Sequence, residues 1–303
     1  MGLFDWLKKD KKKDKKSNDE LVRKLESLKK KEIRVKYQKT NEELLDITAS
    51  KIGGCPALPD DFIWPRYKGE GIDGEVKERP LSFMAQINLS DVAKYDEEGI
   101  LPKTGMISVF YDLVTMVWGF APEDRGGAKI YYFPEEVALQ KTALPDDLEE
   151  DALVPECKVC YEEDISLPYY EDYSHMEESD NVDCDDYDEV CAQMGCERDE
   201  WGDRTKLLGY ADVIQNSMYE ECETLFRGYR TGSPEDFAKI PLLEKLDIKE
   251  KSKDWMLLFQ MGTIETEDSE IMFGDCGHIY FWIRKQDLKE CNFDKIWLIL
   301  QCG

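Results

Sequence analysis

Asp275, Cys276 and His278 are the residues whose types and spacing best fit acid–base or nucleophilic chemistry. The chain has only two histidines, which limits most acid–base schemes. Cys276 and His278 lie two apart at the start of a predicted strand and would share a face, as a nucleophile and its base must. Cys55 is a second candidate nucleophile, and Asp275 or Asp287 would orient the imidazole. A packed cysteine beside an edge histidine is the commoner outcome of such a pattern.

Three glutamines lie in strongly apolar surroundings and must find partners, because a buried, unpaired amide costs on the order of 1 to 3 kcal/mol. One interpretation is that they bond backbone groups at strand ends and hold the structure together. The alternative is a polar strip in an aromatic cleft, where a small molecule would bind. The candidate residues for such a cleft are Trp64, Gln86, Tyr210, Gln215, Gln260, Asp275 and His278.

The cysteines and acidic residues do not form a recognisable metal motif. Cys157 and Cys160 have the spacing of a zinc knuckle, but the intervals among the later cysteines (Cys184, Cys191 and Cys196) are six and four residues rather than two. The acids of 180–189 lack the register of a calcium-binding EF-hand loop. Phosphate-binding loops, dinucleotide fingerprints and hydrolase elbows are also absent from the sequence. We therefore expect reduced cysteines, no metal and no cofactor.

The formal net charge of −26 is concentrated in one segment. Residues 146–203 hold 23 Asp and Glu against only Lys158 and Arg198. Such a surface repels nucleic-acid phosphate, so we expect no binding to DNA or RNA. It would attract a basic protein through electrostatic steering, and a basic protein is the partner that the charge predicts.

Residues 1–16 combine four apolar side chains, Leu3, Phe4, Trp6 and Leu7, with seven lysines. This pattern fits weak peripheral contact with anionic lipid, although lysine-rich tails are commonly solvated. The tail has no secretory signal pattern, the chain has ten cysteines, and it has no apolar run of membrane-spanning length. These features predict a cytoplasmic protein.

Several apolar blocks occur twice in the same order, which predicts two related β-rich lobes about a pseudo-two-fold axis. The matching blocks are 52–56 with 207–211, 80–86 with 254–260, and 105–111 with 277–283. We divide the chain into a tail (1–16), a helix-and-strand lead-in (17–50), a first lobe (51–145), an acidic connecting segment (146–203) and a second lobe (204–303).

Periodicity predicts an α+β fold with mostly antiparallel sheets and peripheral helices. Expected strands are 33–38, 81–87, 105–112, 114–119, 128–133, 154–161, 255–262, 277–283 and 295–301. Expected helices are 17–31, 41–50, 187–198, 211–222 and 286–291.

These blocks resemble the bacterial YwqG family, whose repeated halves are distantly similar to the programmed-cell-death-two proteins of eukaryotes. The resemblance spans about 50–300 and implies a duplicated, β-rich fold in a cytosolic protein; it supplies no catalytic residues. The residues that carry it are Ile52 to Pro56, Trp64-Pro65, Pro80 to Leu89, Leu101-Pro102, Gly105 to Asp112, Leu207 to Gln215 and Phe273 to Gly277.

The favoured functional hypothesis is a non-enzymatic binding or interaction protein that recruits a basic partner through its acidic face, as an immunity-type factor would. The alternative is a hydrolase or small-molecule-processing enzyme with Asp275 and His278 in a cleft between the lobes. The sequence leaves open the partner, the substrate, the oligomeric state, whether the protein is an enzyme, and whether the acidic segment binds calcium or a protein.

Overall fold

A computed structural model describes residues 18–40, 45–71, 74–176, 182–196 and 204–303. Every strand pairing in it is antiparallel, as the sequence predicts. The strands are β1 (Lys30–Lys39), β2 (Lys51–Ile52), β3 (Ala57–Leu58), β4 (Arg66–Glu70), β5 (Val76–Pro80), β6 (Ser82–Asn88), β7 (Met106–Tyr111), β8 (Ala128–Phe133), β9 (Gln140–Lys141), β10 (Cys157–Ser166), β11 (Lys206–Leu208), β12 (Trp255–Met261), β13 (Ile264–Glu265), β14 (Glu270–Ile271), β15 (His278–Arg284) and β16 (Trp297–Gln301). The helices are α1 (18–28), α2 (Leu89–Val92), α3 (Tyr170–Ser174), α4 (Cys184–Gln193), α5 (Tyr219–Phe226), α6 (Pro234–Lys239), α7 (Leu242–Ser252) and α8 (Lys285–Lys289).

One ten-stranded sheet organises the molecule, in the order β16-β15-β12-β11-β1-β10-β2-β6-β7-β8. Its centre is the pair β1 and β10, which runs from Lys30 opposite Ser166 to Lys39 opposite Cys157. These central strands come from the predicted lead-in and the acidic segment, so neither segment is peripheral to the fold.

The acidic strand β10 tolerates a central place because its charges meet counter-ions. Glu163 lies 3.1 Å from the Lys31 ammonium, and the Asp164 carboxylate lies 2.6 Å from the Arg34 guanidinium. Cross-strand pairs of opposite charge stabilise an antiparallel sheet by a few tenths of a kcal/mol up to about 1 kcal/mol each.

The strands on the two sides of the β1–β10 pair have the same irregularity, a register shift shortly before a buried glutamine. The β6–β7 pairing shifts register between Phe83 and Ala85, two residues before the side chain of Gln86. The β12–β15 pairing shifts between Leu257 and Phe259, at the same distance before Gln260. Each shift is a bulge-like irregularity that bends a strand and increases its twist.

A buried lysine faces each of these glutamines across the sheet: Lys51 is opposite Gln86, and Lys206 is opposite Gln260. The Lys51 ammonium donates to the Glu156 carboxylate and the Cys55 carbonyl oxygen, both at 2.6 Å. The Lys206 ammonium donates to the Glu32 and Asp212 carboxylates, both at 2.8 Å. Both ammonium groups are therefore neutralised inside the protein.

The sheet curls so that its two edges approach one another through the segment before β8. The Leu300 amide donates to the Trp118 carbonyl oxygen at 2.9 Å, and the Trp297 indole donates to the Gly119 carbonyl oxygen at 3.0 Å. Gly119 has φ +79°, and an added Cβ would lie 1.9 Å from the Leu298 carbonyl oxygen. Only glycine allows this approach.

The curled sheet encloses one core to which both halves contribute, including Ile33, Met84, Val109, Leu258 and Phe281. Helix α5 covers the opposite face of β12, β15 and β16. A second cluster there includes Cys222, Leu225, Trp255, Tyr280 and Trp282. A third cluster joins α1, α3 and α4, where Leu25, Tyr173, Tyr187 and Val190 are buried.

Two predicted elements are wrong. Residues 114–119 do not form a strand, because the Asp112 carboxylate accepts hydrogen bonds from the Val114 and Thr115 amides and fixes a turn. Helix α5 begins at Tyr219 rather than near 211, because glutamine side chains accept the amides of Asp212, Ile214 and Gln215. These local bonds compete with helix formation.

Other boundaries differ from the prediction. The predicted helix over 41–50 includes 41–44, which lie outside the described residues, and 45–50 form turns and bends. Helices α6 and α7 were not predicted. Leu3, Phe4, Trp6 and Leu7 also lie outside the described residues, and within those residues no helix is long and apolar enough to cross a membrane.

Candidate functional site

A cavity of about 480 Å³ lies among α3, the first turn of α5, the last turn of α7 and the first residues of β1, β12 and α8. Four lysines line it in a protein of net charge −26. We call this cavity the lysine pocket. Its charged and aromatic lining residues are Lys30, Lys249, Lys253, Lys285, Asp172, His175, Glu220, Tyr210, Tyr219 and Trp255.

Asp172 is the most unusual group in the lysine pocket. It is 2% exposed, and neither carboxylate oxygen has a hydrogen-bond partner of ordinary geometry among the described residues. Burial raises its pKa to about 6, and the Ser217 hydroxyl and the Lys30 ammonium offset only part of that effect. The carboxyl is thus half protonated at a pH of about 6 and can donate or accept a hydrogen bond.

Lys30 projects its ammonium over the Tyr210 ring, with Nζ 3.8 Å from the ring centroid. The residue is exposed as a whole, but its charged end lies in the pocket. Burial lowers the pKa of Lys30 to about 8, with a further contribution from Lys285. In the described part of the chain, Lys30 has no salt bridge. The Tyr210 ring and distant carboxylates are therefore the main groups that stabilise its positive charge.

The other three lysines form the rim of the pocket. The Lys285 ammonium donates to the Lys253 carbonyl oxygen at 2.8 Å, and Lys253 forms a salt bridge with Glu250 at 3.0 Å. Lys249 forms no salt bridge with any described residue. Lys249 and Lys253 occupy the carboxyl end of α7, where positive charge interacts favourably with the helix dipole.

The aromatic walls are fixed by hydrogen bonds of their own. The Tyr210 hydroxyl donates to the Leu28 carbonyl oxygen at 3.0 Å, and the Trp255 indole donates to the Glu223 carboxylate at 2.7 Å. Burial raises the pKa of Tyr210 to about 12, so this wall stays neutral. The pocket therefore combines a rigid apolar wall, a cationic rim and one proton donor or acceptor at its base.

Gln86 and Gln260 serve the structure in equivalent ways and are fully buried. Gln86 accepts from the Ala57 amide at 2.8 Å and donates to the Ala49 carbonyl oxygen at 2.7 Å. Gln260 accepts from the Asp212 amide at 2.9 Å and donates to the Arg204 carbonyl oxygen at 2.9 Å. Both amides bond backbone beside a strand, in line with the first of the two interpretations of the glutamines.

Of the seven residues predicted to line a cleft, Tyr210 alone belongs to the lysine pocket. Trp64 donates to the Leu81 carbonyl oxygen and lies in a shallow groove of the first half, near Phe62 and Tyr131. Gln215 is exposed and donates to the Cys302 carbonyl oxygen.

Asp275 and Cys276 are both exposed, whereas His278 is 6% exposed. Cys276 lies in a turn with φ +49°, before β15 begins at His278. Strand alternation therefore does not apply to this pair and gives no reason for the two side chains to share a face.

The cysteines do not suggest a chelating site. Cys157 is buried and Cys160 is exposed on β10, because residues three apart in a strand point to opposite faces. No group of three or more His, Cys, Asp or Glu among the described residues could hold a metal ion.

Sequence reasoning missed the lysine pocket because its residues are distant in the chain. The lysines at 30, 249, 253 and 285 carry no common motif, and Asp172 is hidden within a run of other acids. One available signal was the pattern of 242–252, whose strong helix formers and closely spaced lysines predict a helix with a basic carboxyl end.

A family model described as a domain of unknown function (DUF1963) matches residues 50–302. The match includes most of the lysine pocket but not Lys30, which β1 contributes from outside the matched range. No curated protein matches the chain.

Proposed function

We propose that this chain, which belongs to the DUF1963 family, is a non-enzymatic binding protein whose lysine pocket takes a small organic anion. The observation that carries the proposal is one cavity lined by four lysines and by the buried carboxyl of Asp172, which has no hydrogen-bond partner of ordinary geometry among the described residues. In a strongly acidic protein, such a concentration of positive charge requires an explanation.

An anion in the lysine pocket would neutralise Lys30 and Lys249, neither of which forms a salt bridge with a described residue. Charged hydrogen bonds strengthen where water is partly excluded, and clefts lined by one sign of charge concentrate ligands of the other. The volume of about 480 Å³ suits a small organic molecule rather than a bare ion. When protonated, Asp172 would donate a hydrogen bond to the same ligand.

The hydrolase alternative has less support. Asp275 and Cys276 are exposed in a turn, and neither lines the lysine pocket. Asp172 and Lys30 are better suited to acid–base chemistry than Asp275 and His278, because their pKa values both lie nearer neutrality than usual.

A thermal-shift titration with glutarate at pH 5.5 tests the proposal. The Lys249→Gln/Lys285→Gln variant is expected to bind at least tenfold more weakly than the original protein, because two rim charges are removed. The matched control is Lys251→Gln/Lys289→Gln, which removes one exposed lysine from each of the same two helices outside the pocket. Equal losses in the two variants would indicate general electrostatic attraction and contradict a pocket.

We also infer that 51–145 and 204–303 are copies of one unit related by a pseudo-two-fold axis, as in the YwqG-like family that the sequence resembles. The strand order supports this inference, because outward from the central β1–β10 pair the series β11-β12-β15-β16 on one side corresponds to β2-β6-β7-β8 on the other. Two glycines support it further: Gly54 and Gly209 have φ +66° and +74°, and an added Cβ would meet the Glu156 and Glu32 side chains at 2.9 and 2.8 Å. The pairs Lys51–Gln86 and Lys206–Gln260 also occupy corresponding positions in the two proposed copies.

Recruitment of a basic protein remains a separate proposal. It is supported by four exposed acids at the start and along one side of α4, none of which has a salt bridge within the described residues: Asp183, Asp185, Asp186 and Glu189. Because exposed charges are screened over about 8 Å at physiological ionic strength, affinity for such a partner should fall steeply with salt. Affinity that is constant between low and high salt would exclude this mode of recruitment.

A further inference from the structure

We propose that Lys30 captures carbonyl-bearing organic anions as an imine within the lysine pocket, an inference that rests on the proposed function above. The ligand class is a carboxylate that also carries a ketone or aldehyde. The capture is reversible, because an imine hydrolyses when water returns.

The surroundings of Lys30 favour a neutral amine. Its Nζ forms no salt bridge with any described carboxylate, and Lys285, which lines the same pocket, repels its positive charge; the Tyr210 ring and distant carboxylates stabilise the ammonium only in part. A lysine that is desolvated and placed beside another cation is a reactive amine at a pH where ordinary lysines are protonated. The lowered pKa of Lys30, about 8, agrees with this geometry.

Other lysines lack this combination. Lys31 forms salt bridges with Glu97 and Glu163, which raise its pKa, and Lys39 is held by Asp268 in the same way. Lys206 is more deeply buried but donates to two carboxylates. A carbonyl compound would therefore react preferentially with Lys30 because of its environment. The adjacent Lys31 serves as the reference lysine within the same protein.

The remaining pocket groups supply what imine formation needs. The neutral Lys30 amine attacks the carbonyl carbon and forms a C–N bond, and the carbonyl oxygen takes a proton. After the nitrogen loses a proton, the oxygen leaves as water with a second proton, and a C=N bond forms. No electron is gained or lost overall. Asp172 is the buried acid that can give and take these protons, while Lys249 and Lys285 hold the carboxylate.

Reductive trapping tests the inference with the full chain. The protein is incubated with 2-oxoglutarate and cyanoborohydride at pH 7.5, and modified lysines are located by peptide mass spectrometry. We expect at least tenfold more adduct on Lys30 than on Lys31. Glutarate, which has the same carbon chain without the ketone, should suppress the adduct by competition.

Two variants separate chemistry from binding. Lys30→Arg keeps the positive charge but cannot form an imine, so it should lose the adduct, and its glutarate affinity is measured on the same sample. Lys31→Arg, outside the pocket, should keep both the Lys30 adduct and glutarate binding. Asp172→Asn cannot transfer a proton, so it should slow trapping at least tenfold at 2-oxoglutarate concentrations that saturate the pocket.

The outcomes distinguish this inference from the proposed function. Glutarate binding without a Lys30 adduct would overturn imine capture and leave the anion pocket standing. The absence of glutarate binding, together with adducts spread evenly over exposed lysines, would overturn both. A preferential Lys30 adduct that glutarate suppresses would support both.

Discussion

Replacing Lys206 by methionine is expected to lower the free energy of unfolding by about 3 to 5 kcal/mol, the usual cost of removing one partner from a buried ion pair. The Lys206 side chain is 1% exposed and neutralises both Glu32 and Asp212. Burial alone would raise the pKa of Asp212, but Lys206 more than offsets this and holds it below its ordinary value. Without the ammonium, two carboxylates would remain close together in the interior.

The matched change at Lys51 tests the proposed repeat. Lys51→Met leaves one buried carboxylate, Glu156, without its partner, whereas Lys206→Met leaves two, so the loss at Lys51 is expected to be about 2 to 4 kcal/mol, large but smaller than at Lys206. Lys36→Met, on the exposed side of β1, is the control and should cost less than about 0.5 kcal/mol. Urea denaturation at pH 7 measures all three. A small loss at Lys206 would contradict its structural role, and a loss at Lys51 no larger than that at Lys36 would contradict the proposed correspondence of the two lysines.

Replacing Asp172 by asparagine is expected to stabilise the protein at pH 7.5 by about 1 to 3 kcal/mol. The folded protein raises the pKa of this carboxyl from 3.8 to about 6. Between these values the folded state binds more protons than the unfolded state, so stability falls as pH rises through about 6. Each unit of pKa shift corresponds to about 1.4 kcal/mol, and asparagine avoids the cost of ionisation.

The pH dependence distinguishes this effect from general changes in packing. At pH 4 most of the gain should disappear, because Asp172 is then neutral in the folded protein. Asp185→Asn, on the exposed side of α4, should change stability by less than about 0.5 kcal/mol at both pH values. A destabilised Asp172→Asn variant at pH 7.5 would show that the carboxylate is compensated, contrary to our account of the pocket. A stabilised variant would be an example of stability sacrificed at a functional site.

The sheet could be predicted from sequence because its signals are local. The sequence contains five runs of apolar and aromatic residues with recognisable ends, which form β6, β7, β12, β15 and β16. The glutamines within such runs indicated side chains that need hydrogen-bond partners. The turn at 113–116 could not be predicted, because it depends on a hydrogen bond from the Val114 amide to the Asp112 carboxylate. The irregular segment before α5 could not be predicted either, because the Ile214 amide donates to Gln301, which is distant in sequence.

The lysine pocket could not be predicted from local sequence patterns, for a different reason. Lys30, Asp172, Lys249 and Lys285 belong to four separate elements, and only tertiary packing brings them together. Nothing in the sequence distinguishes Asp172 from its acidic neighbours, because its raised pKa comes mainly from burial in the folded protein. The central placement of β10 was also hidden, since its acids meet counter-ions on β1.

The most direct test of the central claim is a calorimetric titration of glutarate into the protein at pH 5.5 and pH 7.5, repeated with Asp172→Asn. We predict one saturable site per chain, with weaker binding at pH 7.5 because ionised Asp172 repels the ligand. Asparagine at position 172 should remove most of that difference, and because the ligand's own protonation is the same in both proteins, the comparison isolates Asp172. No saturable heat at either pH, or an identical pH dependence in the two proteins, would contradict an anion site built around Asp172.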